Sequence, residues 1–256
     1  MTGKVYLVGA GPGAPDLITL RAARLIEQAD IVFHDALVHP DTVALARSAE
    51  KIAVGKRCGK RSTAQRFINK RLVDAACNHA VVVRLKGGDP MLFGRAQEEI
   101  GALEAAGIAY EVVPGVTAAL AASADIGVSL TRRGLARSVT FATPRVGTEE
   151  DESDWAPAVV GADTSVLYMG VGQAAAIARC LIDRGMSPAT PVHVVENASL
   201  PEMHELRLTL AELPGAAERG ITGPAVIMLG EVFASSTSRC VEVAPSDSLP
   251  VRARLA

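Results

Sequence analysis

Over residues 1–114 the apolar positions follow two alternating patterns. Short Val-, Ile- and Leu-rich runs occur at KVYLVG (4–9), DIVFH (30–34), EKIAV (50–54), VVVRLK (81–86) and YEVVP (110–114). Near-continuous apolar character over so few residues is the mark of strands covered on both faces. Between them lie windows with helical spacing at 17–28, roughly 40–47, 63–77 and 95–106. In the first window Ile18, Ala22, Leu25 and Ile26 share one face, Arg21, Arg24 and Gln28 take the other, and Asp16 is placed as the N-cap. Strand–helix alternation at this spacing predicts a parallel sheet with right-handed crossovers.

The second half is less regular. SVTFA (138–142), TSVLYM (164–169), PVHVVE (191–196), ELRLTL (205–210) and PAVIML (224–229) read as strands, and one long helix is clear around 172–184. The close pair 191–196 and 205–210 points to an antiparallel element, so this sheet is expected to be mixed. PGVTAALAASADIGV joins the halves through a Pro-Gly step and an alanine-rich helical segment. The predicted organisation is therefore two α/β domains, 1–114 and 115–243, with a loose tail at 244–256. TEEDESD (148–154) reads as an acidic surface loop.

Composition narrows the function classes. The 256 residues are 49% apolar and 21% charged, with a mean hydropathy of +0.24, which suits a packed core rather than disorder. With 26 basic against 28 acidic residues, the net charge of −2 gives no general affinity for nucleic acid. Cys58, Cys77, Cys180 and Cys240 are scattered without a C-x-x-C pair, so neither a disulfide framework nor a zinc site is expected. The N-terminus reads as a strand running into a glycine loop rather than a signal peptide, and no window is apolar enough to span a membrane. A cytoplasmic location is expected.

Candidate chemistry gathers just after the predicted strands of the first half. Gly9-Ala10-Gly11-Pro12-Gly13, His34-Asp35, Gly55-Lys56-Arg57, Gly87-Gly88-Asp89-Pro90 and Pro114-Gly115 all fall there. In a parallel sheet these positions share one carboxyl edge, where ligands bind, and glycine lets backbone approach a ligand closely. Gly9, Gly11 and Ala14 formally match a dinucleotide fingerprint, with Asp30 or Asp35 as the downstream acid. Pro12 and Pro15, however, remove backbone N–H donors that a pyrophosphate needs, and the helix is predicted to start late.

VYLVGAGPG, HDALV, VGKR, VVRLKGGDPMLFGR, VVPGVTAA, LTRR, VLYMG, PVHVVENAS and GPAVIMLGEV occur in the order found in the tetrapyrrole methylase family. The chain resembles that family from about residue 3 to 233, and within it is most similar to the uroporphyrinogen-III C-methyltransferases. The resemblance implies two α/β domains with S-adenosylmethionine in the cleft between them, and a homodimer. It also implies methylation of C2 and C7 of uroporphyrinogen III to give precorrin-2, the branch toward sirohaem and cobalamin. Carried over by motif, the cofactor contacts are Pro12, Gly87, Gly88, Asp89, Leu92, Thr117, Ala118, Met169, Ala198 and Ala225. The same resemblance places a proton acceptor at Asp35 and a proton donor at Lys56.

The substrate so implied is ringed with carboxylates, for which Arg forks are suited. Candidates are Arg95 with Glu98 one turn on as its i,i+3 partner, Arg133 entering the cleft from the second domain, and the acid-free run from Lys56 to Arg71. The chain departs from the family pattern at His34, Ala36, Arg132 and PRVG (144–147), all on the tetrapyrrole side. The competing readings are a tetrapyrrole methylase acting on a later precorrin, a ribosomal-RNA ribose methylase of the same fold, an NAD-dependent oxidoreductase, and a non-catalytic dimeric binding protein.

Overall fold

The computed structural model describes residues 2–54, 61–144 and 154–234. The expected acidic loop lies outside these residues apart from Asp154, and the expected tail, Lys56 and most of 144–147 lie outside them altogether. In the first half, β1 (Lys4–Gly9), β2 (Ile31–His34), β3 (Glu50–Ala53), β4 (Val81–Lys86) and β5 (Ala109–Val113) form one sheet in the order β3-β2-β4-β1-β5. Every pairing in it is parallel. The connecting helices are α1 (Leu20–Glu27), α2 (Pro40–Ala44), α3 (Arg61–Ala76) and α4 (Ala96–Ala105).

Along β1, β2 and β4 both faces of this sheet are buried, which explains their unbroken apolar runs, whereas the edge strand β3 is largely exposed. Val5 and Leu7 of β1 join Phe33, Leu72, Ile100 and Leu103 on one side; Val8 joins Ala22, Ile26, Val32 and Leu85 on the other. One local expectation is corrected. Asp16 does not cap α1 but sits in a short 3-10 turn, Pro15–Leu17, after which Ile18 and Thr19 are extended. Thr19 is the cap, its Oγ1 accepting from the Ala22 N–H at 3.2 Å.

The second half forms another five-stranded sheet from β6 (Val139–Ala142), β7 (Thr164–Tyr168), β8 (Pro191–Glu196), β9 (His204–Thr209) and β10 (Ala225–Gly230), in the order β6-β7-β10-β8-β9. Only β6–β7 is parallel, so the sheet is mixed, and β8 and β9 pair antiparallel as their spacing predicts. Its helices are α5 (Ala118–Asp125), α6 (Ala156–Val160) and α7 (Ala174–Asp183). The five-residue α6 carries too short a pattern to be legible in the sequence.

The alanine-rich segment is α5, whose Ala119, Ala121 and Ala122 pack with Val166, Val195 and Met228. Among the described residues, the cores on this sheet draw only on residues after Gly115, and those of the first sheet only on residues before it. We propose Gly115 as the domain boundary on that basis.

Candidate active site

Strands β4, β1 and β5 are neighbours, and the turns that leave their carboxyl ends are packed backbone against backbone. Gly88 donates its N–H to Gly11 O at 2.7 Å and accepts from the Gly11 N–H at 3.3 Å. A Cβ on Gly9 would stand 2.6 Å from the Cα of Gly115 and 2.8 Å from Gly88 O, so Gly9 and Gly115 are glycine because the turns touch there. Asp89 fastens the arrangement: its Oδ1 accepts from the Met91 N–H at 2.8 Å and its Oδ2 from the Gly115 N–H at 3.0 Å.

Gly87 and Gly88 are different. A Cβ on Gly87 would meet only Leu37 Cβ at 3.5 Å, and one on Gly88, where φ is +68°, only the Cα of Thr117 at 4.0 Å. The two residues present bare backbone to open space that side chains would fill, a cradle into which a ligand can approach closely. The Leu37, Met91 and Phe93 side chains around this turn are large, apolar and exposed.

Loops from the second half close on this edge. Tyr168 ends β7, and its hydroxyl lies 2.7 Å from Thr117 Oγ1 and accepts the Ala119 N–H at 3.1 Å, serving an otherwise unpaired donor of α5. Burial holds its phenol above the ordinary pKa. Phe93 tilts against Tyr168 with ring centroids 5.1 Å apart. After β8, Ser199 Oγ accepts the Ala14 N–H at 2.9 Å and its own N–H donates to Asp125 Oδ2 at 2.6 Å. A Cβ on Gly13 would meet Leu200 Cγ at 2.9 Å and Ala198 O at 3.2 Å, so the GPG turn is seated against the 197–200 loop.

Backbone strain concentrates in the same place. Among the described residues the non-glycine positions with positive φ are Phe93, Arg95, Met169, Asn197 and Ser199, all in turns that follow β4, β7 and β8. Such conformations cost on the order of 1–3 kcal/mol each and are retained mainly where function needs them.

The sequence-predicted cofactor residues are thus brought to one edge. Pro12, Gly87, Gly88, Asp89 and Leu92 leave β1 and β4; Thr117 and Ala118 begin α5; Met169 and Ala198 follow β7 and β8. Ala225 opens β10, but β10 runs antiparallel to β8 and places Ala225 beside Glu196, at the same edge.

Asp35 leaves β2, beside β4, and is held by a buried chain of charges that the sequence reading did not pick out. Arg84 Nη2 donates to Asp35 Oδ1 at 2.5 Å and Arg84 Nε to Glu99 Oε1 at 3.0 Å. Lys86 Nζ donates to Glu99 Oε2 at 2.9 Å, and Gln65 Nε2 approaches Glu99 Oε1 at 3.3 Å. Burial works against the charge on Arg84, but Asp35 and Glu99 outweigh it and hold the guanidinium above its ordinary pKa. For Lys86, burial and the neighbouring Arg84 prevail over Glu99, and its pKa is lowered. The available signal was Arg84 and Lys86 themselves, two charges at period two inside an otherwise apolar strand.

The basic residues divide. Arg95 and Glu98 form a two-pronged pair, Nε to Oε1 at 2.5 Å and Nη2 to Oε2 at 2.7 Å, as their spacing predicts. In the 56–71 run, Lys70 pairs with Asp74 one turn on along α3 at 2.6 Å, and Arg71 stacks over Phe67 of the same helix and over Phe33 of β2. The turn that carries Arg133 is placed by its neighbours. It is a tight turn closed by Arg132 and Ala136, and adjacent Leu135 shares a cavity with Asp163 and Gly230. Gly230 pairs with Thr164, the first residue of β7, so this turn stands at the start of β7 and not at its Met169 end.

A parallel five-stranded sheet and a mixed five-stranded sheet, with loops of the second half packed against the glycine turns of the first, define an α/β protein. Residues 4–214 match the Tetrapyrrole (Corrin/Porphyrin) Methylases, and the chain belongs to that family. It is 45% identical over 232 residues to the siroheme synthase of Psychrobacter sp. (strain PRwf-1), covering 90% of this chain and 48% of that protein. The siroheme synthase of Chromobacterium violaceum is 47% identical over 232 residues, covering 90% of this chain and 49% of that protein. The chain therefore spans about half the length of these relatives. Among solved structures, the uroporphyrin-III C-methyltransferase of Thermus thermophilus complexed with S-adenosylhomocysteine is 41% identical with a TM-score of 0.78, over 91% of this chain and 99% of that one. A cobalt precorrin-4 methyltransferase is 30% identical with a TM-score of 0.79, over 90% of this chain and 95% of that one. Among the described residues, no helix is long and apolar enough to cross a membrane.

Proposed function

We propose that this chain transfers methyl groups from S-adenosylmethionine to C2 and C7 of uroporphyrinogen III, giving precorrin-2, and that it does so as a homodimer. The observation that carries the reading is the Gly87–Gly88 backbone, bare on its open side, with Asp35 at the end of the adjoining strand β2. The Thermus thermophilus relative at 41% identity is a uroporphyrin-III C-methyltransferase whose complex holds S-adenosylhomocysteine.

The residues present fit the methyl donor. Gly87 and Gly88 would offer backbone to its methionine end, Asp89 has carboxylate lone pairs left for an ammonium or ribose hydroxyl, and Leu92, Met169 and Ala198 suit an adenine surface. When bound, the donor supplies an electrophilic methyl on a positively charged sulfur. A pyrrole carbon of the substrate gives its electron pair to that methyl, and the sulfur leaves with the pair of the broken C–S bond. The positive charge passes from the sulfur to the macrocycle in this step and no new charge is created, so the protein contributes chiefly alignment in a site shielded from water. The positive charge left on the macrocycle is discharged by loss of a C–H proton, for which Asp35 is the acceptor, with Lys56 as donor in reprotonation. Arg95, steadied by Glu98, faces the substrate carboxylates, and the apolar Leu37 and Phe93 suit the flat macrocycle.

Incubation with uroporphyrinogen III and methyl-labelled S-adenosylmethionine tests the reading, which expects two labelled methyls per tetrapyrrole. No transfer to uroporphyrinogen III, with transfer to a later precorrin, would reassign the chain to a later step.

A further inference from the structure

We infer that Arg84 is a positioning residue for Asp35, and that Glu99, held in turn by Lys86, fixes Arg84 for that task. The inference rests on the proposed function only in calling Asp35 the proton acceptor; the tether itself stands on geometry.

Arg84 and Lys86 lie on the same face of β4, where an apolar pair would complete the core against α3 and α4 at no desolvation cost. The chain has instead buried two cations and Glu99, with side-chain exposures of 3%, 3% and 0%. Buried ion chains of this kind are poor sources of stability, since desolvation offsets most of their attraction. What this one achieves is directional. The planar guanidinium is fixed at Nε by Glu99 and at Nη1 by the Leu85 carbonyl at 3.1 Å, leaving Nη2 to hold Asp35 Oδ1.

Asp35 is the one member that reaches the surface, its side chain 31% exposed. Its Oδ2 accepts no hydrogen bond among the described residues. A carboxylate pinned by one oxygen and open at the other is oriented without being consumed, as a proton acceptor in an aligned site requires. Register sets this up: Phe33 and His34 of β2 lie beside Arg84 and Leu85, so Asp35 follows one step beyond. Lysine cannot take Arg84's place, because an ammonium is a point charge without the fork that spans both carboxylates.

Two double-mutant cycles between Arg84→Lys and Asp35→Ala test the tether. In urea denaturation the pair should be coupled by at least tenfold in the unfolding equilibrium; additive effects would overturn the inference. In single-turnover methylation, Arg84→Lys should lower the rate at least tenfold, with uroporphyrinogen KM and S-adenosylhomocysteine affinity within twofold of wild type. In the Asp35→Ala background the same change should cost less than twofold. Equal losses in both backgrounds would make Arg84 merely structural. If Arg84→Lys does not fold, Glu99→Gln, which keeps an acceptor for Nε, takes its place, with a loss of threefold or more expected only when Asp35 is present. Should the wild-type protein not methylate uroporphyrinogen III, the proposed function falls, while the denaturation cycle still decides whether Arg84 holds Asp35.

Discussion

The Asp89 carboxylate accepts the backbone N–H of Gly115 at 3.0 Å, so a residue of the turn after β4 holds the first residue of the second half in place. Its other oxygen closes its own turn on the Met91 N–H at 2.8 Å. Replacing Asp89 with Ala removes both acceptors at once. The expected cost is about 1.5–3 kcal/mol in urea denaturation, the range for hydrogen bonds to a charged group, with a parallel loss of S-adenosylhomocysteine affinity. Asp89→Asn keeps one oxygen and should fall between; equal stability of Asp89→Ala and wild type would show that the clamp carries no energy.

Gly88→Val places a β-branched side chain at φ +68° and fills the open side of the cradle. Circular dichroism should report a folded protein, because the turn lies beyond the end of β4. Calorimetric affinity for S-adenosylhomocysteine should drop tenfold or more, about 1.4 kcal/mol. An unchanged affinity in the folded variant would move the cofactor site elsewhere.

For Asp35→Ala, cofactor binding should persist while turnover falls by about 10²–10⁴, the range for loss of a general base. A fall of less than about threefold with saturating uroporphyrinogen III lies far below that range and would reduce Asp35 to a structural residue.

Arg95→Ala should weaken tetrapyrrole binding and leave S-adenosylhomocysteine binding nearly unchanged, with Arg95→Lys recovering part of the loss because the fork is gone. Fluorescence titration separates this from a solvated ion pair with Glu98, which would leave both variants close to wild type, since exposed pairs contribute about 0–1 kcal/mol.

A further expectation concerns acid stability. His193 is 2% exposed against the Phe233 ring, and its Nδ1 lies 2.7 Å from Glu205 Oε1 without the alignment of a hydrogen bond. Burial prevails over the pull of Glu205 and lowers the His193 pKa below its ordinary 6.5. The folded protein therefore binds fewer protons than the unfolded chain below that value. The contribution is complete above pH 6.5 and is lost as pH falls from there through the folded pKa. His193→Gln should flatten the stability profile in that window by up to about 1.4 kcal/mol per pH unit. Identical slopes for the two proteins between neutral and mildly acidic pH would exclude His193 as the source.

Sequence pattern alone determined the ten strand positions, the parallel first sheet, the antiparallel pairing of β8 with β9, and the placement of glycine turns at strand ends. These follow from local periodicity and turn chemistry, which act over a few residues and leave a trace in each segment. Tertiary structure decided what those turns do. Gly9 and Gly115 are glycine because two backbones touch, whereas Gly87 and Gly88 face open space, a distinction that depends on which strands are neighbours. The same holds for Arg84, bonded to Asp35 across 49 residues of sequence, and for Arg133, which the order of elements puts at the start of β7. Periodicity says that a residue lies on a strand and on which face; strand order and register, set by the packing of the whole sheet, say what that residue meets.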